Sequence, residues 1–216
     1  MKLVVCSVLY EDLKLAPRYS EKIRGYLGEK YKDFSLLHNH DGDKFLYRYP
    51  KVQYKVIKNT PMIIGINEAA DLVENIGIND DEFILNDIKY DTFQKNILKE
   101  IKDFGIAEDY IEYEFITPWI SLNQKNIRKY RESSMIEKEE ILKNILIGNI
   151  LSMCKGFNYT VNEKISCWIN LKEINIMLKG IKHIGFKGTF KTNFKIPQYF
   201  GIGKSVSRGF GTIKIV

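Results

Sequence analysis

The chain has 216 residues, a net charge of +6 and 44% hydrophobic residues, enough for one large domain or two small ones. No run of about 18 apolar residues occurs, and the apolar first ten residues lack the basic start of a signal peptide, so we expect a cytoplasmic protein without a membrane span. Three widely spaced cysteines without a C-x-x-C pair argue against a zinc site and a disulfide framework.

The first half of the chain shows patterns of strands and helices in the order β-α-β-β-α-β. Predicted strands cover residues 2–10, 45–57 with a joint near Pro50, 62–66 and 83–90, and predicted helices run from Pro17 to Gly28 and from an Asn67 cap to Ile76. A further helix and connector are predicted from Phe93 to Phe104, ending at Gly105. This order is typical of a ferredoxin-like domain, which we place at residues 1–105.

The sequence of the second half of the chain predicts another ferredoxin-like unit. It contains a strand at 111–116, an irregular turn around Pro118 and Trp119, a helix that begins with a Ser134/Glu137 capping box, and long strands on either side of Gly180. Ile147 and Leu151 add to the apolar positions of that helix, so we expect it to be largely buried. Phe186, Phe190 and Phe194 share one strand face and are predicted to be core.

The fold class predicted from these elements is α+β, with two tandem ferredoxin-like domains whose topology RNA-recognition motifs share. The second domain occupies residues 106–216, and a glycine-rich loop takes the place of its second helix. Shared topology alone does not establish a function, so evidence for one has to come from the candidate functional segments.

The candidate binding segment is this C-terminal glycine-rich loop. Its glycines are Gly201, Gly203, Gly209 and Gly211, and Lys204, Ser205, Ser207 and Arg208 lie between them. Backbone amides beside cations suit phosphate oxygens. Gln198 replaces the first glycine of a P-loop, and Val206 replaces the third glycine of a dinucleotide-binding motif, so we expect a loop between strands. A glycine-rich hairpin with bulges is the alternative.

Positive charge is concentrated at the C-terminal end. After Glu173 there is no acidic residue, and eight Lys or Arg residues follow, among them Lys191 and Lys195. A one-sided basic segment of β character favours a polyanionic partner, and the absence of a basic amphipathic helix argues against a lipid surface.

The candidate catalytic residues are His38 and His40, which in an extended backbone lie on one face. Metal-independent RNA cleavage needs one group that takes the 2′-hydroxyl proton and another that protonates the leaving 5′-oxygen, and imidazole suits both at neutral pH. Lys30 is a nearby cation and Tyr47 a hydrogen-bond donor or acid. The products would be a 2′,3′-cyclic phosphate and a 5′-hydroxyl end.

Two other interpretations of the histidines stay open. They are surface histidines without a role, or metal ligands together with Asp41 or Asp43, although the sequence shows no third ligand cluster. We expect no metal and no cofactor.

The chain resembles the CRISPR-associated endoribonucleases that process precursor RNA, in the subtype I-B form of the RAMP superfamily. The resemblance rests on the glycine-rich loop with Phe210 and a terminal strand, on residues 24–28, on residues 37–40 and on residues 47–55. It implies that the catalytic residues lie in the N-terminal domain after the first helix, where His40 and His38 occur. These two histidines would be the general base and the general acid, in either order, and Lys30 and Tyr47 would assist them. It also implies that the loop at 201–211 binds CRISPR repeat RNA.

Two further functions stay open beside this one. The chain could be a non-catalytic RNA-binding subunit of a CRISPR effector complex, or a ferredoxin-like protein that binds a small anion at the glycine-rich loop. The histidine pair favours a nuclease over the first, and the acid-free end of the chain disfavours the second. The resemblance implies CRISPR repeat RNA as a partner, and effector-complex subunits as further partners. We expect the protein to be a monomer or a homodimer.

Overall fold

The computed structural model describes residues 1–37, 49–178 and 180–216, and the backbone of residues 40–41 and 44–45. Residue contacts divide the chain into two units. The first consists of Met1–Asp103 with Val206–Gly209, and the second of Phe104–Ser205 with Phe210–Val216. Of the helices in these described ranges, none combines the length and the apolarity that crossing a membrane requires.

The first unit is a four-stranded antiparallel sheet with two helices. Its elements are β1 (Lys2–Tyr10), α1 (Tyr19–Lys30), β2 (His40–Asp41), β3 (Lys44–Phe45), β4 (Val52–Ile57), β5 (Thr60–Ile66), α2 (Ala70–Asn79), β6 (Phe83–Leu85), β7 (Ile88–Tyr90) and β8 (Lys95–Asp103). The sheet order β4-β5-β1-β8 is that of a ferredoxin-like fold. Cys6 and Val8 on β1, Ile23 and Leu27 on α1 and Val73 on α2 belong to one buried core.

The predicted helix from Phe93 to Phe104 is wrong, because this stretch forms β8, the edge strand that pairs with the whole of β1. Ile97 and Ile101 are four residues apart, a spacing that fits a helix and a strand equally well. The charged residues between them imitate the polar face of an amphipathic helix. Pairing with β1 selects the strand, a contact that local sequence does not reveal.

Two smaller predictions in this unit are also wrong. Residues 83–90 are a separate hairpin, β6–β7, whose turn residues Asn86 and Asp87 have φ of 52° and 61°. Asn67 does not cap α2, because its own φ is 52° and its Oδ1 accepts a hydrogen bond from the Val4 amide at 3.1 Å. The helix α2 begins at Ala70 after a 3₁₀ turn.

The second unit is a four-stranded antiparallel sheet with the order β10-β11-β9-β12. Its elements are β9 (Gly105–Trp119), α3 (Ile127–Glu132), α4 (Met135–Gly156), β10 (Cys167–Leu178), β11 (Ile181–Lys195) and β12 (Ile213–Ile215). This is again the ferredoxin-like order, with the segment between β11 and β12 in the position of the second helix. The predicted α+β class with two ferredoxin-like domains is therefore confirmed.

Several details of the second unit differ from the sequence predictions. Pro118 and Trp119 are not a turn but the end of β9, where the Trp119 ring is fully buried and stacks on Phe115 at 5.3 Å. The Ser134/Glu137 capping box is confirmed. The helix α4 is buried along one stripe only, and Leu151 is 45% exposed. The prediction that Phe186, Phe190 and Phe194 are core is confirmed, since all three are buried.

Candidate active site and nucleic-acid interface

Strand β4 contacts one half of the predicted glycine-rich loop. Gly209 has a φ of +86°, and a Cβ there would lie 3.0 Å from Ser20 Oγ on α1 and 3.1 Å from the Tyr54 carbonyl oxygen on β4. Any larger residue would collide or be strained. Residues 206–209 thus belong to the first unit because a glycine lets their backbone approach α1 and β4 closely.

This approach places Arg208 beside Arg24 of α1. Arg208 Nη1 lies 3.3 Å from Glu21 Oε1, and the Arg208 side chain is only 20% exposed. Burial, followed by the positive charge of Arg208, lowers the pKa of Arg24. The two guanidinium groups and the Glu21 carboxylate together carry a net positive charge. Guanidinium groups bind phosphate oxygens with paired N–H donors, so this cluster suits an RNA backbone.

The predicted catalytic segment begins at the same strand. Leu37 is buried, and its carbonyl accepts a hydrogen bond from the Tyr54 hydroxyl at 3.3 Å. The chain then forms the short hairpin β2–β3, in which His40 pairs with Phe45. His38 and Tyr47 lie outside the described residues, as does the side chain of His40, so the proposed roles of all three stay predictions.

Lys30 lies at the end of α1 in an ion pair. Its Nζ is 3.0 Å from Asp80 Oδ1, and the same oxygen accepts a hydrogen bond from the Tyr31 hydroxyl at 2.7 Å. Asp80 is only 4% exposed. Burial lowers the pKa of Lys30, but the hydrogen bond and charge of Asp80 outweigh it, and the net shift is upward. Lys30 is therefore a permanent cation and cannot serve as a general base at neutral pH.

Strand β4 and Lys51, the residue before it, carry a polar row to which the sequence pattern assigns no role. Lys51, Gln53 and Lys55 alternate with apolar residues, and all three are buried. Lys55 Nζ donates to Gln53 Oε1 at 2.9 Å, and Lys51 lies 3.3 Å from Glu68. Burial lowers the pKa of Lys55 to about 7. The alternation is visible in the sequence, but an exposed strand face has the same pattern.

The other half of the glycine-rich segment is held within the second unit. A Cβ on Gly203 would lie 2.6 Å from Trp119 Nε1, and one on Gly211 would lie 1.9 Å from the Ile202 carbonyl oxygen. Gly201 pairs with Thr212. These glycines are explained by close packing against the protein itself.

Much of the backbone of this segment is already hydrogen-bonded. The amides of Ile202, Lys204, Gly209, Phe210 and Gly211 all donate to carbonyl groups of the protein. These five amides are therefore engaged within the protein and are not free for phosphate oxygens, in contrast to the expectation from the sequence. Lys204 is also engaged, because its Nζ donates to the Leu122 carbonyl at 2.7 Å.

Lys191 and Lys195 are exposed on β11, opposite the face of the buried phenylalanines. The neighbouring strand β9 contributes acidic residues to the same sheet, and Lys191 lies directly across from Glu112. Lys214 of β12 forms an ion pair with Glu114 at 2.8 Å. The end of the chain is acid-free in sequence, yet in the folded sheet two of its lysines, Lys191 and Lys214, lie next to carboxylates. The positive potential there is weaker than the sequence suggests.

No group of three or more His, Cys, Asp or Glu side chains with a metal-binding arrangement occurs in the described part of the chain. The three cysteines are buried free thiols, and burial raises the pKa of Cys6 and Cys154 to about 11. These thiols are therefore neither good nucleophiles nor good metal ligands at neutral pH.

Comparison with known families decides the identity of the chain. Residues 1–103 match the family model of the Cas6b N-terminal domain, and residues 105–216 match that of the Cas6b C-terminal domain. The chain belongs to the Cas6b family. A crystal structure of Cas6b superimposes with a TM-score of 0.96 at 42% identity, over 100% of both chains. The structure of a CRISPR RNA processing endoribonuclease Cas6b gives a TM-score of 0.82 at 39% identity, again over 100% of both chains.

A further relative shares part of the chain. An uncharacterized protein of Methanocaldococcus jannaschii is 48% identical over 115 residues, which are 53% of this chain and 78% of the relative.

The boundary between the two Cas6b family domains lies near residue 104, and the two units defined by residue contacts differ from these domains in one respect. Residues 206–209 lie in the matched C-terminal domain by sequence, but by contacts they belong to the first unit.

Residues 24–28 and 47–55 carry part of the family resemblance, yet their sequence indicates no role for Arg24, Gln53 or Tyr54. The importance of these residues depends on which groups they meet, namely Arg208 and the two ends of the segment that contains the histidines. The contact of Arg24 with Arg208 joins positions far apart in the chain, whereas Gln53 contacts Tyr49 and Pro50, which are only four and three residues away. The local signal is limited to the alternation of polar and apolar residues along β4.

Proposed function

We propose that this chain is a metal-independent endoribonuclease that cuts CRISPR repeat transcripts into guide RNAs. The observation that carries the proposal is the similarity, over the full length of both chains, to a CRISPR RNA processing endoribonuclease Cas6b. Neither the substrate nor the reaction follows from the fold alone, so the residues of the first unit must supply the chemistry.

In the proposed reaction His40 and His38 move the protons, as base and acid in either order. The base takes the proton of the 2′-hydroxyl while the 2′-oxygen attacks the phosphorus. The bond from phosphorus to the 5′-oxygen breaks, and the acid protonates that oxygen. The products are a 2′,3′-cyclic phosphate and a 5′-hydroxyl end. Tyr47 is proposed to donate a hydrogen bond near the same phosphate.

The proposed phosphate contacts are Arg24 and Arg208, whose charges offset the negative charge that develops on the non-bridging oxygens. Arg24 lies near Tyr54, whose hydroxyl donates to the carbonyl of Leu37, and this supports a role for Arg24 near the histidines that follow Leu37. Ser205 precedes the 3₁₀ turn Val206–Arg208 and Ser207 lies within it, and both are proposed to add hydrogen bonds. Lys191 and Lys195 are proposed as weaker contacts along the RNA, and Lys30 as a cation that stabilises the end of α1.

The direct test is to incubate the protein with a repeat-containing RNA in excess EDTA and to map the product ends. We expect specific cutting with cyclic phosphate ends, and a loss of about 10²- to 10⁴-fold in the cleavage rate of His40→Ala. His183→Ala is the matched control, because His183 is exposed on β11 of the second unit, and it should cut at the wild-type rate.

Three outcomes would contradict this proposal. Cutting that stops in EDTA and returns with Mg²⁺ would show a metal-dependent reaction. Full activity of His40→Ala would remove His40 from the mechanism. Salt-sensitive RNA binding without any cutting would favour a non-catalytic subunit of an effector complex.

A further inference from the structure

Leu37 and Tyr49 lie on either side of residues 38–48, and both contact strand β4. This segment carries both candidate histidines and contains the hairpin β2–β3. At its start lies Leu37, and at its end lie Tyr49 and Pro50. The residues of β4 that contact these two ends are Tyr54 and Gln53, which are neighbours in the sequence.

At the start of the segment the contact is a single hydrogen bond in the core. The Tyr54 hydroxyl donates to the Leu37 carbonyl at 3.3 Å, and both residues are buried. Burial raises the pKa of Tyr54, so its hydroxyl keeps its proton and remains a donor throughout the working pH range. The residue that follows Leu37 is His38, so this bond fixes the backbone immediately before the histidines.

At the end of the segment one amide group makes two contacts. Gln53 Nε2 donates to Tyr49 Oη at 2.9 Å and to the Pro50 carbonyl at 3.3 Å. Gln53 Oε1 accepts from Lys55 Nζ at 2.9 Å. The protonated form of Lys55 has donors only, so it favours the orientation in which Gln53 Oε1 faces the lysine and Nε2 faces Tyr49 and Pro50.

The strand that makes these contacts is itself well held. Gln53 and Tyr54 pair with Ile64 and Ile63 of β5, and both side chains are completely buried. Successive residues of a strand point to opposite faces, so the two side chains reach the two ends of the segment from opposite sides of the sheet. One paired strand therefore fixes the positions at which the segment begins and ends.

We propose that Gln53 and Tyr54 are positioning residues that hold the two ends of the 38–48 segment and so place its histidines for RNA cleavage. This inference rests on the proposed nuclease function. In this proposal the two residues act through the backbone at Leu37 and Pro50. Misplacement of a catalytic group by about 1 Å costs on the order of 10²-fold in rate, so loss of either contact should lower the cleavage rate without weakening RNA binding.

Each of two substitutions removes the donor group at one end of the segment and leaves the rest of the side chain in place. Tyr54→Phe keeps the buried ring and loses the donor to Leu37. Gln53→Glu keeps an acceptor for Lys55 but cannot donate to the Pro50 carbonyl. The matched controls lie in the second unit. Tyr113→Phe loses a buried hydroxyl that donates to the Phe194 carbonyl, and Asn193→Asp loses an amide that donates to the Lys164 carbonyl.

The experiment measures three quantities for each full-length variant: the single-turnover cleavage rate at saturating RNA, the RNA dissociation constant, and the hydrogen exchange of the β2–β3 amides. We expect Tyr54→Phe and Gln53→Glu to cut about 10- to 100-fold more slowly, with dissociation constants within about twofold of wild type. Their β2–β3 amides should exchange about fivefold faster, the equivalent of one lost hydrogen bond. Both controls should keep the wild-type rate, affinity and β2–β3 exchange.

Each result bears on one part of the account. Wild-type cleavage rates in both positioning variants would overturn the inference while leaving the nuclease proposal intact. Unchanged exchange in both variants would overturn it as well, whether or not the wild type cuts RNA. A wild type that does not cut, combined with faster exchange in the variants, would refute the nuclease proposal and keep the tethering of the segment. Equal rate losses in the controls would show a general stability effect and also overturn the inference.

Discussion

The two units handle positive charge in opposite ways. In the first unit Lys55, Arg24 and Arg208 are partly or fully buried and contact other functional groups around β4. In the second unit Lys191 and Lys195 are exposed on β11, with carboxylates of β9 in the adjacent strand. The first arrangement fixes charges at defined positions, whereas the second leaves them in solvent, where water and salt screen them.

The comparison shows why a cluster of charges in a sequence is a poor guide to a binding site. The end of the second unit, after Glu173, is rich in lysine and free of acidic residues in sequence, but strand β9 brings carboxylates next to Lys191 and Lys214. In the first unit, Arg24 and Arg208 are far apart in the chain, yet the fold brings them together. Buried charge therefore distinguishes the two regions better than the number of charges does.

The largest expected difference between the units concerns Lys55. Its pKa is about 7 in the folded protein and near 10.5 unfolded, so between these values the unfolded state binds more protons and stability rises with pH. The free energy of unfolding of wild type relative to Lys55→Met should be constant below pH 7. It should then rise toward pH 10, with a limiting slope of about 1.4 kcal/mol per pH unit.

Chemical denaturation of both proteins at several pH values measures this difference. Lys191→Met is the control, because Lys191 is exposed, and its difference from wild type should stay flat across the same range. A flat profile for Lys55→Met would mean that Lys55 is not buried as described.

The next largest effect concerns the glycines. Gly209→Ala places a Cβ 3.0 Å from Ser20 Oγ at a φ of +86°, so it should lower the free energy of unfolding by about 1–3 kcal/mol. In Gly148→Ala on α4 the added Cβ meets no atom within 4 Å, so this substitution should raise the free energy of unfolding by up to about 1 kcal/mol. Thermal unfolding of the two variants compares them, and equal effects would argue against a close approach of residues 206–209 to α1.

A smaller difference is expected for ion pairs. Lys30→Ala leaves the buried Asp80 without its cation and should cost about 1–2 kcal/mol, less than a fully buried pair because the lysine is 36% exposed. Lys214→Ala breaks the exposed pair with Glu114 and should cost at most about 0.5 kcal/mol. Urea denaturation distinguishes the two, and a cost for Lys214→Ala that equals or exceeds that of Lys30→Ala would contradict the contrast.

Much of the fold is predictable from the sequence because its signals are local. The capping box at Ser134 and the even spacing of Phe186, Phe190 and Phe194 depend on neighbouring residues alone. Strand β8 has the sequence pattern of a helix because Ile97 and Ile101 fit both periods, and only pairing with β1 distinguishes them.

The candidate site is less predictable, because its contacts join distant parts of the chain. The glycine-rich segment is one loop in the sequence, but its residues divide between the two units. Lys204 has the sequence position of a phosphate-binding cation and instead binds the Leu122 carbonyl. The type of a side chain does not determine which backbone group it will meet in the folded protein.

The most direct test of the central claim measures RNA affinity at one salt concentration for Arg208→Ala, Glu21→Gln and Lys191→Ala. If Arg208 binds phosphate, Arg208→Ala should weaken binding by about tenfold and Lys191→Ala by less than about threefold. Glu21→Gln should leave binding unchanged or tighten it, because it removes the carboxylate that competes for Arg208. Equal losses in Arg208→Ala and Glu21→Gln would show that their ion pair is only structural, and a larger loss in Lys191→Ala would move the binding site to the second unit.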